Sequence, residues 1–391
     1  MYKKIITLFF INVSLAANAQ WTAQASGVSV NLQAVKFIDN TTGVCVGNGG
    51  TILKTTNGTS WVAKPSATTN DLFEVSFPTR DTGYAVGYLG TIVKTVDGGE
   101  TWVTRTSGTT DQLNAVHFID ANIGVAVGGL GSAGTDIILT TNDGGATWTP
   151  RTNKIYKQLS GVHFPSANVG YAVGNTGTIL KTINGGVTWQ PQTSGTTALL
   201  RQVYFSDENT GYVVGASGVI RKTTNGGATW TAKPSGIVGT IFSIHFLDAN
   251  TAFAVGDFGN IIKTTDAGET WTTQTSGVST SSFFFVHFTA AGRGYAVGAG
   301  GMIRTTQTTV ATENSVTRIA QFYPNPAGNT IFIQTEIPLS ISIFDTNGRV
   351  LLHKNLENSG FIDIENLTKG VYIVQFSDGN STFVEKLIKN H

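Results

Sequence analysis

The chain has a single cysteine, Cys45, among 391 residues, which excludes an internal disulfide and a cysteine-built zinc site. Charge is also sparse: 13% of residues are charged, and 25 basic side chains stand against 24 acidic ones. Without a basic excess there is no electrostatic footprint for nucleic acid or for an anionic membrane surface. No later hydrophobic stretch reaches the roughly 20 residues of a spanning helix, because Gly, Thr and Asn interrupt each one. Amphipathic helices are missing too, since no 3.6-residue stripe of ten or more residues occurs. What is present is 47 glycines and 40% hydrophobic residues, enough apolar side chain to fill a core, arranged in short alternating stretches.

The N-terminus stands apart. Lys3 and Lys4 precede an apolar run from Ile5 to Leu15, too short to span a bilayer, and Ala17-Asn18-Ala19 follows with the small-x-small pattern of a signal-peptidase site. Residues 1–19 therefore read as an export signal, with the mature chain starting at Gln20.

Self-similarity dominates the rest. Trp61, Trp102, Trp148, Trp189, Trp230 and Trp271 each end a copy, at spacings of 41, 46, 41, 41 and 41 residues, the length of a four-stranded propeller blade. In the fourth copy, Leu159 to Phe164, Gly170 to Gly174, Thr178 to Thr182 and Thr188 to Gln190 read as strands A to D, with Gly170 and Gly174 expected at sharp turns and Asn184-Gly185-Gly186 supplying positive φ for the C–D hairpin. Each Trp is expected to start strand D and to pack between blades. The last copy stops after strand C at Arg304, without a Trp, whereas Gln20-Trp21-Thr22-Ala23 matches Thr229-Trp230-Thr231-Ala232. Six whole repeats and this split one predict an all-β, seven-bladed propeller closed by its N-terminal strand, which leaves no open sheet edge.

The hairpin Thr95-Val96-Asp97-Gly98-Gly99-Glu100-Thr101-Trp102 resembles the Asp box of sialidase-type repeats, with Asn184 and Asn225 in place of the Asp in two copies and Thr55 to Trp61 one residue short. The whole repeat region is similar to the photosystem II assembly factor propellers and, more loosely, to sialidases and xyloglucanases. Asp boxes specify a hairpin, since Asp or Asn bonds its own following amides. They specify no chemistry.

Thr305 to Thr317 is rich in Thr with Asn and Ser and reads as a linker. Beyond it, short strands around Ile331–Ile333, Ile341–Phe344, Val350–Leu352, Phe361–Ile364, Tyr372–Phe376 and Thr382–Val384 predict a small Ig-like β-sandwich. Tyr323-Pro324-Asn325-Pro326, Asp345-Thr346-Asn347-Gly348-Arg349, Leu367-Thr368-Lys369-Gly370-Val371-Tyr372 and Glu385-Lys386-Leu387-Ile388-Lys389 together resemble the type A C-terminal sorting domain of type IX secretion. That resemblance implies a Bacteroidetes-type host, the type IX machinery as a partner, and release or attachment at the outer surface. The expected division is 1–19 signal, 20–304 propeller, 305–318 linker and 319–391 sorting domain.

Candidate chemistry is thin. His117, His163, His245 and His287 share one slot on the innermost strand with Lys36, Ser76 and Tyr204. Metal ligands must converge at about 2 Å from one ion, and equivalent positions of a ring spread around its axis, so a polar lining of a wet channel is expected, with no metal and no cofactor. Lys54, Lys94, Lys181, Lys222, Lys263 and Arg304 recur on strand C and read as a solvated edge away from the ligand. The expected ligand face is made by the D–A and B–C loops, whose acids are Asp71, Asp111, Asp136 and Asp257. A glycosidase needs two carboxylates roughly 5–10 Å apart, and sialidase chemistry also an arginine cluster that the propeller lacks, so no catalytic residue is assigned. The insertion Gly129 to Asp136 and the loop Lys154-Ile155-Tyr156-Lys157 are the irregular loops of blade three. Ligand-contact candidates are accordingly Tyr88, Asp136, Tyr156, Lys157, Asp257 and Phe258. The composite expectation is a secreted or surface-held propeller that binds a protein or a glycan. The alternatives are a glycan hydrolase using loop carboxylates and an assembly factor.

Overall fold

A computed structural model describes residues 21–129, 136–151, 157–307, 320–323, 325–335, 337–345, 348–378 and 382–390. The export signal, the cleavage point before Gln20, Tyr156 and most of the linker lie outside them. Two compact units divide the chain, residues 1–310 and 311–391.

Among the described residues the first unit holds seven four-stranded antiparallel sheets. In blade one strand A is Leu32–Phe37, B is Gly43–Gly47, C is Ile52–Thr55 and D is Val62–Lys64. The later A strands are Leu72–Ser76, Leu113–Phe118, Leu159–His163, Leu200–Phe205, Ile241–Phe246 and Phe283–Phe288. Each packs against the next around the axis, and the last returns to the first, so the ring is closed. The seventh sheet takes its outer strand from the chain's beginning: Thr22–Gln24 pairs with Ile303–Gln307 in the register Thr22↔Thr305, Ala23↔Arg304, Gln24↔Ile303.

Packing explains the repeat's spelling. Strand B is wholly buried, and Cys45 sits within it as a small apolar residue. Trp61 to Trp271 each lie one residue before strand D rather than starting it. Trp102 shares a cluster with Val44 of the preceding blade, as Trp148 does with Tyr84, which places the indoles between blades. The glycines that bracket strand B serve close approach rather than a turn: a Cβ on Gly170 would lie 2.4 Å from the Phe164 ring, and one on Gly174 2.0 Å from the Gln158 carbonyl, while the backbone at Gly174 is extended. Gly185 and Gly186 do have positive φ, 66° and 87°, as the C–D hairpin requires. In that hairpin Asp97 accepts the amides of Glu100 and Thr101, and Asn57, in the short copy, those of Thr59 and Ser60.

The recurring lysines are not a solvated edge. Four of them reach the Asp-box hairpin of the following blade: Lys94 Nζ donates to Gly144 O at 2.7 Å, Lys181 to Gly226 O at 2.7 Å and Lys222 to Ala267 O at 2.8 Å, while Lys54 pairs with Glu100 at 2.8 Å. The strand-B tyrosines reach the same carbonyls, Tyr84 to Gly144, Tyr171 to Gly226 and Tyr212 to Ala267, and Tyr295 crosses from blade seven to Gly58 of blade one. The sequence expectation failed because an aliphatic stem lets Lys span to a neighbouring blade, where burial is compensated by a carbonyl partner. Blades one and three have Val44 and Val125 in the tyrosine slot, and blade six differs for another reason. Blade seven is split at its C–D connection and offers no hairpin carbonyl, and there the tyrosine is replaced by Phe253, which packs edge-on to Trp21 with ring centroids 6.0 Å apart.

This contrast makes a prediction. Tyr295→Phe removes one buried hydrogen bond and leaves Gly58 O less satisfied, costing about 1 kcal/mol, whereas Phe253→Tyr buries a hydroxyl with no acceptor and costs about 1–3 kcal/mol. Denaturant titrations of the two variants check it, and a stabilised Phe253→Tyr would contradict it.

In the second unit a three-stranded sheet of Ala320–Tyr323, Thr330–Thr335 and Gly360–Asp363 faces a four-stranded one of Val350–Leu356, Leu339–Phe344, Gly370–Ser377 and Thr382–Lys389. Ile331, Ile333, Ile341, Ile343, Val374 and Phe376 fill the core between them. Lys389 is 1% exposed and its ammonium donates to Gly328 O and Asn329 Oδ1, each at 3.0 Å. The strand Ala320–Tyr323 is not among the strands expected from the sequence, whose first lies around Ile331–Ile333.

Candidate functional site

The D–A loops and B–C turns form one face of the propeller. In the regular blades the B–C connection is a single 3-10 turn whose middle residue has positive φ: Gly49, Leu89, Thr176, Ser217, Phe258 and Gly300. Gly suits that slot; an L-residue with a side chain costs about 1–2 kcal/mol there. Phe258 is nevertheless held in it at φ 57° with 60% of its surface exposed, and Leu89 at φ 53° with 51% exposed. Two open grooves run beside these residues. One, of 690 Å³, lies between Leu89 and the loop Thr106 to Thr110, and the other, of 490 Å³, between Phe258 and Thr275 to Ser279. A serine turn shapes each loop, as where Ser276 Oγ bonds Val278 O and N.

The sequence-derived candidates fall unevenly on this face. Tyr88 opens the turn beside Leu89 and is exposed, and Phe258 borders the second groove. Asp257 is a positioning residue: its carboxylate accepts the Thr240 amide at 2.8 Å and the Ser282 hydroxyl at 2.8 Å, tying its turn to the loops on both sides. Burial alone would raise its pKa, but these bonds and the nearby Arg201 hold it below the usual carboxylate range. Asp71 is spent similarly, on Gly49 N and Asn48 Nδ2. Lys157 is exposed, Asp136 directly precedes the strand Ile137–Thr141, and Tyr156 lies outside the described residues.

The axial channel opens among these loops. A bulge after the first residue of every A strand disturbs its alternation. Second and fifth residues therefore both reach the channel, a cavity of 500 Å³, and Glu74, Gly161, Gln202 and Phe285 line it from the third position. The recurring histidine slot in the sequence pointed only to the fifth. At the second position, Arg201 lies over the ring of Phe242 at 5.2 Å, and Phe242 meets Phe284 edge-on at 5.4 Å. At the third, Glu74 accepts the Val116 amide of the next blade at 2.9 Å, as Gln202 accepts that of Ile244.

The fifth position carries the histidines. His117 and His163 lie 5.1 Å apart between ring centroids, and His245 and His287 4.7 Å. Among the described residues no group of three His, Cys, Asp or Glu side chains is disposed to hold a metal. Burial, reinforced by the Lys36 charge, pulls His117 down to about 4 and His245 to about 3, and lowers His163 and His287 well below the usual value. Burial also lowers Lys36, against the attraction of Glu74, and pushes Glu74 up to about 8 despite its amide bond and Lys36. At neutral pH the channel thus holds neutral imidazoles and a largely neutral carboxyl.

Comparison with known proteins follows this geometry. The secretion system C-terminal sorting domain family matches residues 321–390, and the photosynthesis system II assembly factor YCF48 family matches residues 57–151 and 152–234. No curated protein matches the chain. Among solved structures, YCF48 from Cyanidioschyzon merolae superposes with a TM-score of 0.62 at 18% identity, over 73% of this chain and 98% of that one. YCF48 bound to D1 peptide gives 0.62 at 18% identity over 76% and 99%. The GH74 enzyme of Niastella koreensis gives 0.59 at 14% identity over 93% and 73%. At these identities the likeness is one of fold. Among the described residues no helix is long and apolar enough to cross a membrane. The chain is a repeat β-propeller, matched by the YCF48 family over residues 57–234, that carries a secretion system C-terminal sorting domain, which indicates export to the cell surface or secretion.

Proposed function

We propose that the exported propeller is a binding module whose loop face takes a protein or glycan ligand. Residues 1–19 are then the removed export signal, 20–304 the displayed propeller, 305–318 the linker and 319–391 the sorting domain read by the type IX machinery. The observation that carries the ligand reading is Phe258, a bulky aromatic kept exposed in a backbone conformation that favours glycine, at the edge of a groove. Strain of this kind persists where the side chain has a use. Tyr88 is the aromatic partner on blade two, Asp136, Tyr156 and Lys157 supply polar contacts on blade three, and Asp257 holds the Phe258 turn. The solved YCF48 with a D1 peptide supports a protein segment as the first ligand to try.

Screening the mature chain on peptide and glycan arrays, with Phe258→Gly beside it, tests this. Relief of the strained φ, partly offset by glycine's freedom in the unfolded chain, leaves the variant as stable as wild type or up to about 1 kcal/mol more so, while binding drops at least tenfold. Undiminished binding by Phe258→Gly sinks the assignment. A hydrolase reading requires free loop carboxylates, and Asp71 and Asp257 both bond neighbouring loops. Glycan turnover abolished by Asp136→Asn or Asp257→Asn would replace the binding reading with it.

The export assignment has its own test. Deletion of residues 319–391 is expected to keep the chain from the surface and the medium, measured by fractionation and immunoblot. A truncated chain that still reaches either compartment refutes the sorting role.

A further inference from the structure

We propose that the histidine level of the axial channel is a binding site for a small oxyanion, a carboxylate, sulfate or phosphate group, taken up together with protons. The site is built but lacks internal partners. Four imidazoles, the Lys36 ammonium, the Tyr204 phenol and the Ser76 hydroxyl line one cavity of 500 Å³, and none of these side chains hydrogen-bonds or ion-pairs with another described residue. Partly buried polar groups that face a cavity take their hydrogen-bond partners from whatever fills it, and the Lys36 ammonium among them requires an acceptor. Anionic protein acceptors are scarce there. The one acidic side chain lining the channel, Glu74, already takes the Val116 amide, and Gln202 takes that of Ile244. Donors or potential donors predominate: Lys36 and the imidazoles at this level, with the Arg201 guanidinium at the second position nearer the loops.

The titratable groups facing the site are His117, His163, His245, His287, Lys36, Tyr204, Glu74 and Arg201. Burial disfavours charge on the imidazoles, and protonating one of a pair 4.7 or 5.1 Å apart disfavours protonating the other. An anion seated among them reverses both effects, so anion and proton bind with positive coupling. The affinity therefore rises as pH falls, by about tenfold per pH unit for each proton taken up. Glu74, being largely neutral below pH 7.5, opposes the anion little in that range.

Calorimetric titration of the purified mature chain with sulfate, at pH 5.5 and 7.5 and constant ionic strength in chloride, tests the proposal. Sulfate stays doubly charged throughout, so any pH dependence belongs to the protein. The expected result is a saturable single-site isotherm, at least tenfold tighter at pH 5.5, whose heat depends on the ionisation enthalpy of the buffer because protons are taken up. Lys36→Met should weaken it at least tenfold, and Glu74→Gln should leave it unchanged or tighter. Short peptides with free and amidated C-termini, titrated in parallel, separate a chain-terminal carboxylate from a free anion as the source. Absence of saturable binding at both pH values, meaning water alone fills the level, overturns the proposal, as does pH-independent binding. If Lys36→Met fails to fold, the imidazole NMR resonances of the wild-type chain decide: sulfate-dependent shifts at pH 5.5 support the site, and unmoved resonances refute it.

Discussion

Trp21→Ala is expected to lower the stability of the propeller by about 3–5 kcal/mol, the cost of truncating a large buried aromatic. Trp21 is 3% exposed and packs edge-on against Phe253 of blade six and Phe288 of blade seven, at 6.0 and 5.9 Å. It also anchors the strand Thr22–Gln24, the only covalent contribution of the chain's beginning to the seventh sheet. At the junctions after blades two, four, five and seven a tyrosine or lysine bonded to a hairpin carbonyl shares the work of holding blades together. Here the aromatic cluster stands in for that bond. Val238, 88% exposed in a loop, is the control, and Val238→Ala should change stability by less than about 0.5 kcal/mol. At about 2 °C per kcal/mol for a unit of this size, the difference in melting temperature is roughly 6–10 °C. Coincident melts of Trp21→Ala and wild type would show that the ring does not depend on this closure.

The second large effect is acid destabilisation that begins well above the carboxylate range. An imidazole whose folded pKa is depressed contributes stability that is fully present above its unfolded value near 6.5 and is lost as pH falls through the folded value. For His117 and His245 that window runs from 6.5 down to about 4 and about 3, and His163 and His287 act in the same direction. Glu74 works oppositely: with its pKa raised to about 8, its contribution is present at low pH and fades as pH rises through that value. Four histidines outweigh one carboxyl, so between pH 6.5 and 4 the chain should lose on the order of a few kcal/mol. Further loss follows between about pH 4 and 2, the interval from the ordinary aspartate value down to the value of about 2 at which Thr hydroxyl and amide bonds hold Asp143 and Asp266. Denaturant midpoints measured in chloride buffers from pH 8 to 3 give the profile. The double variant His117→Gln, His245→Gln should flatten it between 6.5 and 4, and an unchanged slope would mean that these imidazoles charge freely in the folded state.

Legibility from sequence followed from how each feature is encoded. The Trp spacing and the matching ends around Trp21 and Arg304 were sufficient for the ring, because closure demands an outer strand that only the N-terminus can supply. Asp97 and its relatives were readable because an Asp box is local, each bond falling within four residues of its donor. The lysine clamps were not readable, since Lys94 and Gly144 are 50 residues apart and nothing in either repeat announces the other. Glu74 and Arg201 stayed hidden for a different reason. A bulge shifts the phase of strand A, so a strict period of two counted from the fifth residue assigns the second, where Arg201 stands, to the wrong face, while Glu74, in phase at the third, occurs in one blade only and carries no repeat signal. Phe258 was chosen as an exposed aromatic, but Leu89, in the same positive-φ slot of blade two, was passed over for its neighbour Tyr88. Aligning the middle residues of the B–C turns would have found it.

The strand that completes the seventh sheet bonds a partner 283 residues later in the chain, as between Thr22 and Thr305. Contacts of such separation are the slowest to form, because the loop entropy must be lost before the contact returns any free energy. A chain emerging from synthesis or from an export channel therefore carries its first strand unpartnered until the last propeller strand has followed it. Completion of the ring is a single late event that reports on passage of the whole propeller, and a chain arrested midway stays an open arc with two exposed strand edges.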